Sequence, residues 1–526
     1  MTGAATPGAG LAPARSPRAI ASAERIHVVG AAGAGASAAV LHAAWAGAQP
    51  DGCDAGGPSP YTVAIEAAGI PLVWQHDAGH VRRTPPPDRL AVTKALTAVD
   101  PDHPELLAAR AAGIPIEAWQ QVIADAAAGR TLVGIAGTHG KSTSAGWLVH
   151  VLVAAGADPS AFVGALLPAD LTGGLPATAR QGGGAAFVVE ADEYAGNFDS
   201  YRPALAVITS AEWDHPDVFA DRAAVVATFD HWIRAMTVDP GSDPAPAQPT
   251  AILNVADAGV ADLASGMRDW NGRIVAVALG DADGQRAAGI ARGLADEYAT
   301  AAGPATALLG RIARLEPDGT VLEVHGLDPL RGPLTVRLAS AGRANAANAL
   351  GVAAAAAELG VAPDQIASSL ASFAGVGRRL ERKGEAAGVV VYDDYGHHPS
   401  AIRETLAAVR QREPDRRIWA VHEPLTYHRT AALLDDFAAA LAAADAVAIA
   451  DIWAGRDPDT TIASAVGLAE AVATVNPRIP VAAPGSVEAT AAWLAHEVRS
   501  GDAVLVMGGG RSYRIAELLV EALARR

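Results

Sequence analysis

Short β-branched and aliphatic runs recur along this chain, and stretches rich in alanine and leucine, long enough for helices, separate them. The runs are Ile26–Val29, Val133–Ala136, Phe187–Val189, Ala206–Thr209, Val389–Tyr392, Ile418–Val421 and Ala503–Met507. Strands that alternate with helices in this way predict an α/β protein built on parallel sheets. A chain of 526 residues is too long for one core, and its length suggests about three domains. Two breaks rich in Pro, Gly and Asp, at Asp239–Pro249 and Gly375–Gly377, help to divide it. The first reads as a loop inside a domain, because the strand-like Ala251–Asn254 resumes the alternation at once. The expected units are a disordered tail at 1–24 and domains at 25–128, 129–375 and 376–526.

Composition narrows the class. The apolar share is 50%, yet no run approaches the ~20 uninterrupted apolar residues of a membrane helix. A formal net charge of -17 argues against a general nucleic-acid or anionic-membrane binder. The single cysteine, Cys53, excludes an internal disulfide framework and fits a reducing compartment, so a cytoplasmic protein is expected. The segment before Arg25 is rich in Ala, Pro, Gly and Ser, and its arginines accompany no apolar run of the signal-peptide kind.

Chemistry concentrates where predicted strands end. After Val133–Ala136 come Gly137, Thr138, His139, Gly140, Lys141, Ser142 and Thr143, a glycine turn that opens a helix. Turn amides and the helix N-terminus suit phosphates, Lys141 suits the terminal ones, and the Ser142 hydroxyl suits magnesium. Ile135 occupies the position of the first glycine in the general phosphate-loop spacing, so this is a tighter form of that loop. An acidic cluster, Glu190, Asp192 and Glu193, follows Phe187–Val189, and Asp214 and His215 follow Ala206–Thr209. Ligands of open α/β sheets bind beyond the strand ends, so both groups are expected on the rim that holds the ATP magnesium.

Two further loops follow the same rule. Gly30, Gly33, Gly35 and Ser37 lie between Ile26–Val29 and a helix, with Asp54 about twenty residues on, where a Rossmann-like unit holds a ribose or uridine group. Close packing of helix on strand explains such glycines equally well. In the third domain, Asp393, Asp394, Tyr395, His397 and His398 fill a strand-to-helix loop ahead of Pro399, with Ile402, Leu406 and Val409 on one helix face. No cysteine or second histidine pair with zinc spacing follows, which favours polar contacts to substrate.

These strings, taken with the segments at Gly342–Asn348, Gly377–Arg379 and Thr426–Thr430, resemble the Mur ligase family in content and order from about Arg25 to the C-terminus. The resemblance implies an N-terminal Rossmann-like domain for a UDP-sugar, a central ATPase and a Rossmann-like C-terminal domain for the amino acid. It also implies ATP-dependent joining of L-alanine to UDP-N-acetylmuramate through an acyl phosphate, as in peptidoglycan precursor synthesis. By resemblance, Lys141, Glu190, His215 and His397 serve catalysis, and Ser142, Glu190 and His215 hold magnesium. Asn345 and Asn348 approach adenine, Arg379 and Asp393 close over the nucleotide, and Tyr395, His397 and Arg429 orient the sugar substrate and the amino acid.

Three positions depart from the family pattern: Ser142 replaces threonine, Ser210 replaces asparagine, and Glu423-Pro424-Leu425 replaces Gln-Pro-His. The last leaves open a related branch that attaches a recycled murein tripeptide to the same UDP-sugar. A non-catalytic Mur-like nucleotide-binding protein is the reading from another class, and a ligase acting on a folate or polyamino acid is a further one.

Overall fold

The computed structural model describes residues 7–238, 246–280, 293–328, 332–455, 457 and 459–526. The run 239–245 within the first predicted loop lies outside the described residues.

Three sheets follow one another along the chain. The first is parallel, ordered Leu72–Val73, Gln49–Cys53, Arg25–Val29, Arg89–Val92, Ile116–Ala118. Its order reverses beside Arg25–Val29, which is where a doubly wound sheet opens a crevice. The second sheet has ten strands, and at its centre Thr131–Ala136 lies between Leu205–Ile208 and Ala186–Glu190, parallel to both. Thr250–Asn254 pairs in parallel with Leu205–Ile208, so the break before it connects strands of one sheet. The third sheet holds Val389–Asp394, Asp502–Gly508, Arg417–Glu423 and Ala446–Ala450 in parallel neighbouring positions, with Glu381–Ala386 antiparallel at one edge. Thr131–Ala136 and Ala446–Ala450 are buried at every position, which is why they read as unbroken apolar runs.

Helix Ala34–Trp45 is apolar on all sides and buried from Ala36 through Ala43, because it packs between its own sheet and the central domain. His42 Nε2 lies 2.9 Å from the Ala161 carbonyl, and Ser37 Oγ lies 2.9 Å from Thr178 Oγ1. The glycine loop that precedes this helix is thus fixed relative to the central sheet.

The expected disorder before residue 25 is not what the described part of that segment shows. From Gly8 onward it lies on the first domain, with the Gly8 amide donating to the Lys94 carbonyl (3.2 Å) and the Ala12 amide to the Ile116 carbonyl (2.8 Å). Arg15 pairs with Glu117 (2.8 Å) and Asp125 (2.7 Å), and Arg18 pairs with Glu24 (2.6 Å). Its two arginines therefore match carboxylates that the folded domain has already buried. Arg89, with a side chain 2% exposed, joins the same group through Glu24 (3.1 Å), Glu117 (2.8 Å) and Asp125 (2.6 Å). Arg89→Ala leaves three buried carboxylates short of a cation and should cost about 3–5 kcal/mol. The expected result is a large drop in the midpoint of the first unfolding transition, followed by circular dichroism in urea. An unchanged midpoint contradicts the assignment.

Candidate functional site

A cavity of about 790 Å³ opens where the domains meet, with walls that include Trp119 from the first domain, Lys141, Glu190 and Asn345 from the second, and Arg379 and His397 from the third. The turn that follows Thr131–Ala136 bends through two left-handed glycines, Gly137 (φ 130°) and Gly140 (φ 80°). A Cβ on Gly140 would stand 2.5 Å from Asn348 Oδ1, so glycine is required there by the neighbour as well as by the backbone.

The turn is braced from the neighbouring strand end. The Thr138 amide donates to the Ser210 carbonyl (3.0 Å), and the His139 amide donates to Ser210 Oγ (2.9 Å). Those two amides are already occupied, so they do not face phosphate as the turn was expected to. Gly140 caps helix Lys141–Ala154 with no side-chain partner, leaving the amides of the first helical turn as the phosphate donors. Ser210 keeps its contact to the turn despite being shorter than the family's asparagine.

Lys141 Nζ donates to the Gly137 carbonyl (2.7 Å) and to Glu193 Oε2 (3.0 Å), with Asp192 at 3.7 Å. Burial works against its charge, but Glu193, Asp192 and Glu190 outweigh burial and hold the ammonium above its ordinary value. Ser142 Oγ donates to Glu190 Oε1 (3.0 Å), while Glu190 Oε2 accepts from the Gly164 amide (2.6 Å). Arg379 crosses from the third domain and donates to Ser142 Oγ (2.8 Å). His215, at a left-handed φ of 55°, brings a ring nitrogen within 4.8 Å of Asp192 and Glu193 ligand atoms. Glu190 thus stands with Ser142, and His215 stands near Asp192 and Glu193.

On the opposite wall, the Arg378 and Arg379 guanidinium carbons both lie 5.0 Å from the Tyr395 ring centroid. His397 Nδ1 lies 2.9 Å from the Tyr395 carbonyl, and burial together with Arg429 pushes the ring well below its ordinary pKa. It is neutral, and with Nδ1–H on that carbonyl its Nε2 remains an acceptor. Burial and His139 push His398 down to about 4. Arg429 is 2% exposed and reaches Asp214 Oδ1 (2.8 Å) and His215 Nδ1 (3.2 Å), with Nη1 unpartnered.

Several expected residues stand elsewhere. Asp393 is fully buried behind the wall and pairs with Arg378 (3.2 Å); Asp394, on the other face of the strand, lines the cavity. Alternation along a strand decides which of two adjacent aspartates faces the site. Gly30, Gly33, Gly35, Ser37 and Asp54 lie off the cavity wall at the end of the first sheet. Gly35 is there for packing, since a Cβ would collide with the Trp119 ring. Ser37 is fully buried against Ala34 and Thr178, so it does not face substrate. Asp54 Oδ2 accepts from the Ala32 amide (3.0 Å), which fixes the glycine loop.

Known proteins match most of the chain. Residues 25–131 match the Mur ligase family catalytic domain, 135–356 the Mur ligase middle domain, and 378–510 the Mur ligase glutamate ligase domain. The chain belongs to the Mur ligase family. This Mur ligase is 36% identical to a UDP-N-acetylmuramate--L-alanine ligase of Frankia casuarinae, over 95% of this chain and 98% of that one. It is 35% identical to the protein of the same name in Kineococcus radiotolerans, over 95% and 97% of the two chains. Among solved structures, UDP-N-acetylmuramate-alanine ligase from Thermotoga maritima aligns with a TM-score of 0.72 at 20% identity, covering 94% and 98% of the two chains. A murein peptide ligase from Psychrobacter arcticus aligns with a TM-score of 0.67 at 23% identity, covering 95% and 99%. These two likenesses concern the fold.

Two groups of this Mur ligase take roles that their local sequence does not single out. Glu193, the partner of Lys141, was visible in the acidic cluster but not separable from its neighbours. Glu212 binds Ser400 (2.6 Å) and lies 3.6 Å from His139 and 3.7 Å from His398. No local signal joins those residues, because Glu212 and His139 of the central domain meet His398 and Ser400 of the third only across the interface between the two.

Glu423, standing where the family pattern has glutamine, is 3% exposed with Oε2 unpartnered, and burial pushes its carboxyl from 4.5 up to about 7. Between these values the folded state keeps a proton that the unfolded chain has released, so stability falls as pH rises; above about 7 the penalty is constant. Glu423→Gln should therefore gain on the order of 2–3 kcal/mol over the wild type at pH 8 and little at pH 4.5. Parallel urea-unfolding curves at the two pH values would contradict a buried, charge-averse carboxyl.

Proposed function

We propose that this Mur ligase joins L-alanine to the lactyl carboxylate of UDP-N-acetylmuramate, driven by ATP, in peptidoglycan precursor synthesis. The observation that carries the reading is the meeting of three domains on one cavity. The phosphate loop, the acidic strand ends and the third domain's Arg379 reach the same few ångströms around Ser142. The curated relatives, which match 95% of this chain, add the name of the reaction.

Phosphoryl transfer needs positioning and charge neutralisation more than covalent chemistry from the protein. The first-turn amides of helix Lys141–Ala154 hold phosphate oxygens, and Lys141, kept charged by its acidic neighbours, offsets charge on the transferring group. The donors around it suit magnesium, a hard cation that favours oxygen: Ser142 and Glu190 on one side, Asp192 and Glu193 with His215 on the other. Magnesium supplies further charge neutralisation for the phosphates when bound there. Asn345 and Asn348 present amides to the nucleotide side of the cavity. The substrate carboxylate attacks the γ-phosphorus and ADP leaves. The alanine amine then attacks the acyl carbon, phosphate leaves with the carboxylate oxygen, and neutral His397 is placed to take the amine proton. Arg429, buried against Asp214 and His215, steadies the His215 side chain at the cavity wall. Asp54 and the glycine loop serve the UDP-sugar from the first sheet. ATP and a UDP-sugar as substrates support a cytoplasmic reaction. The seams at 25–128, 129–375 and 376–526 follow the same division of labour.

If the acyl phosphate forms, UDP-N-acetylmuramate carrying 18O in its carboxylate yields phosphate with one label. Unlabelled phosphate contradicts this route. Lys141→Ala should lower kcat by orders of magnitude and, because it leaves the buried Glu193 without its cation, also lower the thermal midpoint; near-normal turnover would remove Lys141 from the mechanism. Leu425 lines the cavity where the family pattern has histidine. Leu425→His should shift the KM for the amino acid and leave that for ATP unchanged, and an unaltered amino acid profile would place the acceptor elsewhere.

A further inference from the structure

Beneath the glycine loop lies a cluster of side chains that the ligase chemistry does not use. Strand Gln49–Cys53 ends on the chain's one cysteine, which is buried, and the Cys53 carbonyl accepts from the loop amides of Gly30 (2.8 Å) and Ala31 (3.1 Å). Glu105 Oε1 and Oε2 stand 3.1 and 3.3 Å from Cys53 Sγ, and His27 Nε2 stands 3.5 Å from it. His80 Nδ1 is 3.1 Å from Glu105 Oε1. Each of these four residues offers a donor atom within 4.8 Å of the others. Tetrahedral zinc, with sulfur at ~2.3 Å and nitrogen or oxygen at ~2.0–2.2 Å, spaces its donors about 3.3–3.6 Å apart.

We propose that Cys53, His27, His80 and Glu105 form a structural site for a divalent cation of the zinc class. One thiolate, two imidazoles and one carboxylate suit zinc and do not suit magnesium, which prefers oxygen throughout. The surroundings are those of a metal-ligating histidine: His27 Nδ1 is held by Asp51 at 2.5 Å, and Asp51 is itself paired with Arg83. The Asp77 amide donates to Glu105 Oε1 (3.1 Å), fixing the carboxylate.

A separate observation points the same way. His103 is 2% exposed, and neither of its ring nitrogens has a partner among the described residues. It lies edge-on to His76 with centroids 4.5 Å apart, and both offer donor atoms within 4.8 Å of Glu105. Buried polar groups are ordinarily satisfied, so a histidine with two idle nitrogens beside this carboxylate marks a cluster with more donors than its own hydrogen bonds employ. Cation binding forms a metal–sulfur bond and releases the Cys53 thiol proton to solvent. It ties the first two strands of the sheet to helix Pro104–Ala112 under the loop assigned to the UDP-sugar.

The test uses the full-length protein, stripped with a chelator and titrated with Co2+. Because the chain has one cysteine, a sulfur-to-cobalt charge-transfer absorption reports Cys53 alone, and the oxygen-rich nucleotide site is silent in it. The expected result is saturation at one equivalent, displacement by Zn2+, indifference to excess Mg2+, and at least tenfold weaker binding in His80→Ala. Absence of the sulfur absorption at one equivalent overturns the proposal, as does unchanged affinity in both His80→Ala and Glu105→Gln. Should the variants fail to fold by circular dichroism, the wild-type spectrum alone decides.

Discussion

The Ser142 hydroxyl is the point on which the site depends. It donates to Glu190, at the end of a central strand, and accepts from Arg379, which belongs to the third domain. A single small side chain therefore links the phosphate loop, an acidic strand end and the domain assigned to the amino acid. Serine in place of the commoner threonine keeps this arrangement, since only the oxygen takes part. Around it the charges balance locally: Lys141 is buried among carboxylates that hold it protonated, and Arg429 is buried against Asp214. Buried charges persist where they are paired, and these pairs lie at contacts between segments distant in sequence.

The same logic governs how the domains meet. Helix Ala34–Trp45 is buried on all sides because two sheets share it, so the first domain cannot turn freely about the second without uncovering apolar surface. On the other side, Arg379 of the third domain reaches Ser142 of the central one, and Glu212 of the central domain reaches Ser400 of the third. The cavity is thus a product of interfaces, and its residues take their roles from positions that only the folded chain brings together.

That explains what the sequence revealed. Strands such as Thr131–Ala136 and Asp502–Gly508 were legible because a strand covered on both faces must be apolar throughout. Lys141, Ser142, Glu190 and His215 were legible because strand ends in an open sheet carry the chemistry. The glycine loop misled in part: Gly35 and Ser37 answer to Trp119 and Thr178, contacts made across a fold that composition does not encode. Asp393 and Asp394 could not be told apart without the phase of the strand. The tail resembled disorder because its two arginines gave no hint of the buried carboxylates waiting for them. What replaces the family's Gln-Pro-His is a buried, charge-averse Glu423 and an apolar Leu425 on the cavity wall.

The central claim is that this cavity couples ATP cleavage to capture of L-alanine by a UDP-sugar. Phosphate release by the purified chain with ATP and magnesium, measured with UDP-N-acetylmuramate and either L-alanine or the murein tripeptide, tests it most directly. The account predicts rapid release only when the UDP-sugar and L-alanine are both present. Release supported by the tripeptide alone would move the chain to the recycling branch, and release independent of the UDP-sugar, or none with any acceptor, would contradict the coupling.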